Sequence, residues 1–171
     1  IQDSLKTVLR NPNLSPEKKA MTLSHLGRNM YEIDMSTALR ITNEALQLSR
    51  KFPDGQYAAF ALATLTYLNV QGDSLVQAQK NIDSALIYTS KSTNRVINGY
   101  VWLRKGWLEY IVNNTTKSTA SLFKALQLLE GQQAYAYESL VYHYLASIYA
   151  DLKDIKNLKK YTRLSLDLAY Q

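Results

Sequence analysis

The sequence contains no cysteine, only three prolines and six glycines, and no long apolar run. The absence of cysteine excludes a disulfide framework and a thiolate metal site. The scarcity of proline and glycine favours long helices, because these two residues are the main helix breakers. The longest weakly polar stretch, residues 57–68, is shorter than the roughly 20 residues that a membrane-spanning helix needs. We therefore expect this stretch to form a buried helix.

The composition is that of one folded domain with a substantial core, since 46% of the 171 residues are apolar and 20% are charged. The net charge is +6, but no aromatic and basic nucleic-acid motif accompanies it, so we expect no direct nucleic-acid binding. His25 and His143 have no neighbouring acid at triad or metal-ligand spacing, and no glycine-rich phosphate loop occurs. The sequence thus predicts a protein that is not an enzyme and that has no cofactor and no metal.

A repeat of 40 residues organises the residues that are present. Small residues followed by leucine recur at this spacing: Ala45-Leu46, Ala85-Leu86, Ala125-Leu126 and Ser165-Leu166. Two further series at nearly the same period hold mostly small residues: Ala38, Ala78, Ser118 and Leu158, then Gly27, Thr66, Gly106 and Ala146. Self-similarity of this length indicates stacked helical units that bury their apolar faces against their neighbours. Small side chains at fixed places let the helices approach closely.

Local signals mark several helix ends. Ser15, Pro16 and Glu17 combine a serine cap, a proline at the first position and an acid in the first turn. Gly72 is predicted to end a helix in the left-handed conformation. Ser74, with Gln77 three residues later, predicts a capping box at the start of the following helix.

The repeated unit resembles the tetratricopeptide repeat. That family shows a bulky residue, a leucine with a small residue, and then a tyrosine, at a spacing that Tyr142, Leu145, Ala146 and Tyr149 match almost fully. Looser matches are Trp102, Gly106 and Tyr110, and Leu23, Leu26, Gly27 and Met30. The resemblance covers about 155 residues, in a long variant whose period exceeds the family's usual 34 residues.

The resemblance implies an all-α fold, a right-handed α-solenoid of four helix-turn-helix units with a short N-terminal helix at residues 1–10. The units span about residues 15–53, 54–93, 94–131 and 132–171 of a single domain, 1–171. The segment Leu14 to Lys19 and the short leading helix also resemble the sensory segments of membrane-anchored bacterial signalling proteins and transcription regulators. This second resemblance implies a periplasmic location, with the cytoplasm as the alternative, and membrane contact only through segments outside this sequence.

Aromatic residues concentrate in the first helices of the units, which line the concave side of tetratricopeptide arrays. The resemblance implies a groove for a protein or peptide that is formed by Arg28, Tyr31, Phe60, Tyr67, Tyr100, Trp107, Tyr110, His143 and Ser147. Tyrosine and tryptophan suit this role, because they give a large contact area at a low cost in side-chain entropy. The alternative is that much of this set fills the core of the long helices.

The C-terminal segment carries more leucine than one buried face requires, at Leu164, Leu166 and Leu168. We expect this segment to continue into further chain or to self-associate with a second copy. The predicted function is that of a protein- or peptide-binding repeat domain, the regulatory or sensory part of a larger signalling or transcription-regulator protein. A scaffold or dimerisation module without a groove ligand is the alternative.

Overall fold

A computed structural model describes residues 2–170. Within these residues the fold is all-helical, as predicted, and it contains no β-strand. The elements in chain order are α1 (Gln2–Leu9), α2 (Pro16–Met30), α3 (Met35–Ser49), α4 (Gln56–Gln71), α5 (Leu75–Thr89), α6 (Arg95–Ile111), α7 (Thr115–Leu129), α8 (Tyr135–Asp151) and α9 (Ile155–Ala169).

The chain divides into two compact units, of which the first ends at Thr93 and the second begins at Asn94. In the first unit α2 packs on α3 and α4, α4 packs on α3 and α5, and α1 packs on α2. In the second unit α6 packs on α7 and α8, and α8 packs on α7 and α9. These consecutive helix pairs are those of a helical repeat. The division coincides with the predicted border between the second and third repeats, while the single domain and the right-handed sense stay predictions.

The 40-residue period is visible in the second helices of the four hairpins. They begin at Met35, Leu75, Thr115 and Ile155, and each is 15 residues long. The small residues of the period lie at the helix contacts, since Ala45, Ala85 and Ala125 are all 0% exposed. A Cβ atom added to Gly27 would lie 2.9 Å from the backbone oxygen of Ala38, which leaves no room for a side chain. The predicted close packing of small residues is thus confirmed.

The stretch at residues 57–68 forms the middle of α4, and most of it is buried, as predicted. It is apolar on every side because α4 contacts α2, α3 and α5. Within residues 2–170, no helix combines the length and the apolar character that crossing a membrane would require.

The turns inside the second, third and fourth hairpins repeat one backbone conformation. Asp73, Asn113 and Lys153 lie 40 residues apart and have φ angles of 55°, 59° and 57°. The prediction of a left-handed cap at Gly72 is wrong, since its φ angle is −91°. The left-handed position falls one residue later, at a non-glycine residue, because Asp and Asn tolerate this conformation better than other side chains do.

Side-chain caps begin α2 and three of the four second helices, α3, α7 and α9, but not α5. The oxygen of Ser15 accepts from the backbone N–H of Lys18 at 3.3 Å, as predicted for α2. The capping box at Ser74 is not formed, because the Ser74 side chain accepts no cap hydrogen bond. Gln77 instead donates through Nε2 to Oδ1 of Asn81 at 3.0 Å, one turn further along the helix.

In the last hairpin Ser165 stands where the other units have alanine, and it pairs with Ser139. Oγ of Ser139 donates to the backbone oxygen of Ser165 at 2.8 Å, and Oγ of Ser165 donates to the backbone oxygen of Ser139 at 2.9 Å. These reciprocal bonds join α8 to α9 at the position where the repeat elsewhere has alanine. Each hydroxyl donor is thereby satisfied by a backbone oxygen of the other helix.

Candidate protein-binding surface

In the first unit, the rings of Tyr31 on the end of α2 and Tyr67 on α4 meet edge to face. Their centroids lie 5.2 Å apart, and both side chains are partly exposed. The hydroxyl of Tyr31 donates to Oε1 of Glu32 at 2.7 Å. This hydrogen bond, followed by the one with Tyr67, raises the pKa of Tyr31 well above its usual value. Tyr31 therefore stays protonated and keeps a fixed hydroxyl on the surface.

Another ring pair of the first unit joins a buried phenylalanine to a half-buried histidine. Phe60 on α4 lies 4.9 Å from the ring of His25 on α2, and it is only 2% exposed. Burial, and secondly the charge of Arg28, lower the pKa of His25 below its usual value. His25 is therefore neutral near pH 7. Phe60 does not line an accessible groove, contrary to the prediction. The helix α4 packs on three other helices, and the ring of Phe60 fills the core.

In the second unit, two ring pairs join α6 to α8. The centroids of Tyr100 and Tyr137 lie 5.0 Å apart, and those of Trp107 and Tyr144 lie 6.2 Å apart. Tyr100 is 0% exposed and Trp107 is 7% exposed. Tyr100 is thus a second correction, since its ring is interior, whereas Trp107 reaches the surface only at its edge. Their partners Tyr137 and Tyr144 are partly exposed, and the sequence analysis missed both.

Arg104 is a buried charged residue that holds the α6 rings together. It is 2% exposed, and its guanidinium carbon lies 5.0 Å from the ring centre of Tyr100 and 5.9 Å from that of Trp107. A guanidinium over two aromatic faces gains cation–π attraction, which is strongest where water is excluded. The sequence analysis missed Arg104 because a lone basic residue in a helix usually faces solvent.

The remaining predicted residues of the second unit are Tyr110 near the end of α6, His143 in the middle of α8 and Ser147 one turn later. The hydroxyl of Tyr110 donates to Oδ2 of Asp151 at 2.8 Å, and this bond raises the pKa of Tyr110. His143 is exposed, with its ring 5.6 Å from that of Tyr144. Ser147 donates to the backbone oxygen of His143 at 3.2 Å, so its hydroxyl is engaged within α8.

The accessible residues of the first helices are grouped here by unit. The first aromatic face consists of Arg28, Tyr31 and Tyr67, and the second aromatic face consists of Tyr110, Tyr137, His143, Tyr144 and Ser147. Each face presents rings whose polar atoms reach water, a combination that suits recognition of a protein surface. The binding role of the predicted residues in these faces stays a prediction.

One polar cluster of the second unit has the chemical types of a catalytic site. Oγ of Ser121 on α7 donates to Oε2 of Glu109 at 2.6 Å, and Lys105 forms an ion pair with Glu109 and contacts Ser121 at 3.2 Å. Ser121 is 3% exposed, so its hydroxyl is out of reach of a substrate. The cluster therefore stabilises the contact between α6 and α7. Residues 2–170 also contain no group of three or more acids or histidines that could hold a metal ion.

No protein-family model and no curated protein matches the sequence. Among solved structures, the chain is similar to BtubC (BKLC) from P. vanneervenii, with a TM-score of 0.66 and 17% sequence identity. The match covers 99% of this chain and 70% of BtubC. At this identity the likeness shows the fold alone, an all-helical, repeat-like arrangement.

Proposed function

We propose that this chain is a tetratricopeptide-like domain that binds a protein or peptide through the first helices of its hairpins. The observation that carries the proposal is the alignment of rings along these helices in both units. Tyr31 and Tyr67 are in edge contact in the first unit, and Tyr144 stacks beside Trp107 in the second. Rings that are preordered by each other lose little entropy on binding, which favours their use as contact residues.

The proposed role of this binding is regulatory. The resemblance of the repeats to the sensory segments of bacterial signalling proteins supports a role as part of a larger signalling or transcription-regulator protein. A bound partner would change the geometry of the hairpins and, through them, the output segment of that larger protein. We propose no enzymatic activity, because the one serine cluster described above is buried in a helix contact.

The test is site-specific photo-crosslinking in cells of the source organism. A benzophenone amino acid is placed at Tyr67 in the first aromatic face and, separately, at Tyr144 in the second. The matched control is Val76 on α5, which is 73% exposed and lies outside both faces. We expect one discrete adduct from at least one of the two faces and none from the control position.

The identified partner is then purified and titrated against variants. Tyr67→Ala or Tyr144→Ala should weaken its binding at least about tenfold, as expected for an aromatic contact residue, while Val76→Ala should have no effect. Equal adducts at all three positions, or unchanged affinity in both tyrosine variants with the fold intact by circular dichroism, would overturn the proposal.

A scaffold or dimerisation module is the second candidate, and the outer side of α9 favours it. A cavity of about 430 Å³ opens there between Leu158 and Leu166, and Leu166 is 52% exposed. Under this alternative, Leu166→Glu should convert a dimer to a monomer in sedimentation velocity. The control Val76→Glu should not, and a wild-type chain that is monomeric at all concentrations would exclude the alternative.

A further inference from the structure

The first unit contains an open polar groove between its second helices, and none of the lining residues belongs to the first aromatic face. Its walls are α3 and α5, its floor is α4, and its volume is about 590 Å³. Leu62 and Leu65 on α4 lie at the floor. Five of the lining residues carry side-chain amides, namely Asn43, Gln47, Asn69, Gln77 and Asn81.

The groove is positively charged. Arg50, the C-cap residue of α3, and Lys80 on α5 line it, and both are exposed. No aspartate or glutamate belongs to its lining. The lining therefore attracts an anionic group, and the cations stand on opposite walls.

In the second unit, the corresponding space between α7 and α9 is closed. The helices α5 and α9 begin at Leu75 and Ile155, so the two units match at a shift of 80 residues. At this shift, the groove residues Asn43, Leu62, Asn69 and Asn81 correspond to Phe123, Tyr142, Tyr149 and Tyr161.

The four corresponding rings fill the place. Tyr161 stacks on Tyr149 at 5.4 Å and on Tyr142 at 6.0 Å, and Phe123 meets it at 6.4 Å. What remains beside Tyr142 is a cavity of about 200 Å³. Its lining is acidic, because Glu130 stands where the first unit has Arg50.

We propose that the groove between α3 and α5 binds an acidic peptide segment in an extended conformation. Asn43 and Asn69 each donate one amide N–H to a backbone oxygen of their own helix, at 2.9 and 2.8 Å. An amide has a second N–H and an acceptor oxygen, so both side chains can still pair with the backbone of an extended peptide. Gln77 is turned toward Asn81 in the groove instead of capping its helix. The lining from Leu39 to Arg50 runs about 16 Å along α3, at 1.5 Å per helical residue. That length holds about five extended residues.

The lining favours a peptide over a nucleic acid. Tyr88 is the one aromatic side chain among the lining residues, whereas single-stranded nucleic acids bind by stacking successive bases on rings. Two cations would also neutralise few phosphates. Acidic side chains of a peptide can instead pair with Arg50 and Lys80 while its backbone pairs with the amides.

The experiment titrates the ¹⁵N-labelled chain with a capped hexapeptide that alternates glutamate and threonine, at physiological salt. We expect the side-chain amide signals of Asn43, Asn69 and Asn81 to shift in a saturable way. The same peptide with glutamine in place of glutamate should bind at least about tenfold more weakly, because the charge contacts are lost. Peptide binding that leaves the groove amides unmoved, or no binding at millimolar peptide, overturns the proposal.

Two variants make the test specific. Arg50→Glu combined with Lys80→Glu reverses two exposed charges and should weaken binding at least about tenfold. Lys117→Glu combined with Lys156→Glu makes the same change of net charge at exposed positions outside the groove, and it should change binding less than about twofold. Equal weakening by both pairs would show nonspecific attraction and would contradict the proposal.

The last two controls are a variant whose groove is filled and a titration with inorganic phosphate. Asn69→Tyr with Asn81→Tyr installs the residues of the second unit and should abolish binding while helicity is kept. If this variant does not fold, the charge-reversal pair decides alone. Inorganic phosphate that shifts the same amides as far as the peptide does, at equal concentration, would replace the peptide site with a simple anion site.

Discussion

The two compact units have the same order of helices, but they differ in the space between the second helices within each unit. In the first unit Asn69 and Asn81 leave an open groove of about 590 Å³. In the second unit the matching Tyr149 and Tyr161 stack at 5.4 Å and close it. The period therefore constrains the helix contacts, and the residues outside these contacts are free to differ.

The comparison separates two kinds of residue in the repeat. Alanines such as Ala45 and Ala125 are identical in the two units because each touches a neighbouring helix and is 0% exposed. Residues such as Asn81 and Tyr161, each 7% exposed, lie in the space between the second helices, where either a polar or an aromatic side chain is compatible with the same backbone. Function in a repeat domain is expected at such variable positions.

The largest predicted effect concerns the ring that closes the second groove. Tyr161→Ala should lower the free energy of unfolding by about 3 kcal/mol or more, because it removes a ring that packs against three others. The matching Asn81→Ala in the first unit should cost about 1 kcal/mol, mainly for the hydrogen bond with Gln77. Urea unfolding followed by circular dichroism measures both.

Tyr161→Phe is the control, since it keeps the stacked ring and should cost less than about 1.5 kcal/mol. Equal losses of unfolding free energy for Tyr161→Ala and Asn81→Ala would show that the spaces in the two units are packed alike and would contradict the proposed difference between them.

The next effect concerns one close glycine contact in each unit. An added Cβ at Gly27 would lie 2.0 Å from Oγ1 of Thr42, so Gly27→Ala should cost about 1–3 kcal/mol. At Gly106 the closest atom is Cγ of Leu122 at 2.8 Å, which belongs to a side chain that can shift, so Gly106→Ala should cost less. Both are measured as shifts in the urea midpoint.

Gly72→Ala is the matched control for these substitutions. Its added Cβ would approach no atom closer than 3.5 Å, and its φ angle of −91° suits alanine. A loss at Gly72 as large as that at Gly27 would show that the close contact is not the cause.

A smaller effect of opposite sign is expected at the repeated turn. Lys153 in the second unit has a φ angle of 57°, a conformation that disfavours lysine, so Lys153→Gly should raise the free energy of unfolding by about 0.5–1 kcal/mol. Asp73 has the equivalent place in the first unit, and Asp73→Gly should gain less, because aspartate tolerates this conformation. Thermal unfolding would detect the difference between the two variants. A loss of stability in Lys153→Gly would show that the backbone at Lys153 is not strained.

The smallest effect is a pH dependence in the first unit. Burial lowers the pKa of His25 below its usual 6.5, so the unfolded chain takes up the proton first as the pH falls. Stability should therefore decrease as the pH falls below about 6.5, until His25 is protonated in the folded chain as well.

The unfolding temperature between pH 7 and pH 5 measures this effect. His25→Gln should flatten the profile, and His143→Gln, at the exposed histidine of the second unit, should leave it unchanged. A profile that keeps its slope in His25→Gln would assign the dependence to other groups.

The helices and their contacts could be predicted from the sequence because the signals are local or periodic. A small residue every 40 positions indicates a contact whether or not its partner is known, and Ser15 caps α2 through a neighbour three residues away. Burial within α4 could not be predicted in the same way. That helix is apolar on all sides, so no stripe shows which way the ring of Phe60 points.

The site residues that the sequence analysis missed depend on contacts between distant segments. Tyr100 pairs with Tyr137, and Trp107 with Tyr144, at spacings about one helical turn shorter than the period. A search at the period itself cannot find these pairs. Likewise Asn69 and Asn81 are ordinary polar residues in the sequence, and only the packing of α4 with α5 brings them into one groove.

The contrast between the grooves can be tested most directly by a nuclear Overhauser experiment on the side chains of both. We expect cross-peaks from the Tyr161 ring to the rings of Tyr142 and Tyr149, and water cross-peaks at the amide of Asn69. A Tyr161 ring without contact to either tyrosine, or an Asn69 amide that is packed against protein and hidden from water, would contradict this contrast.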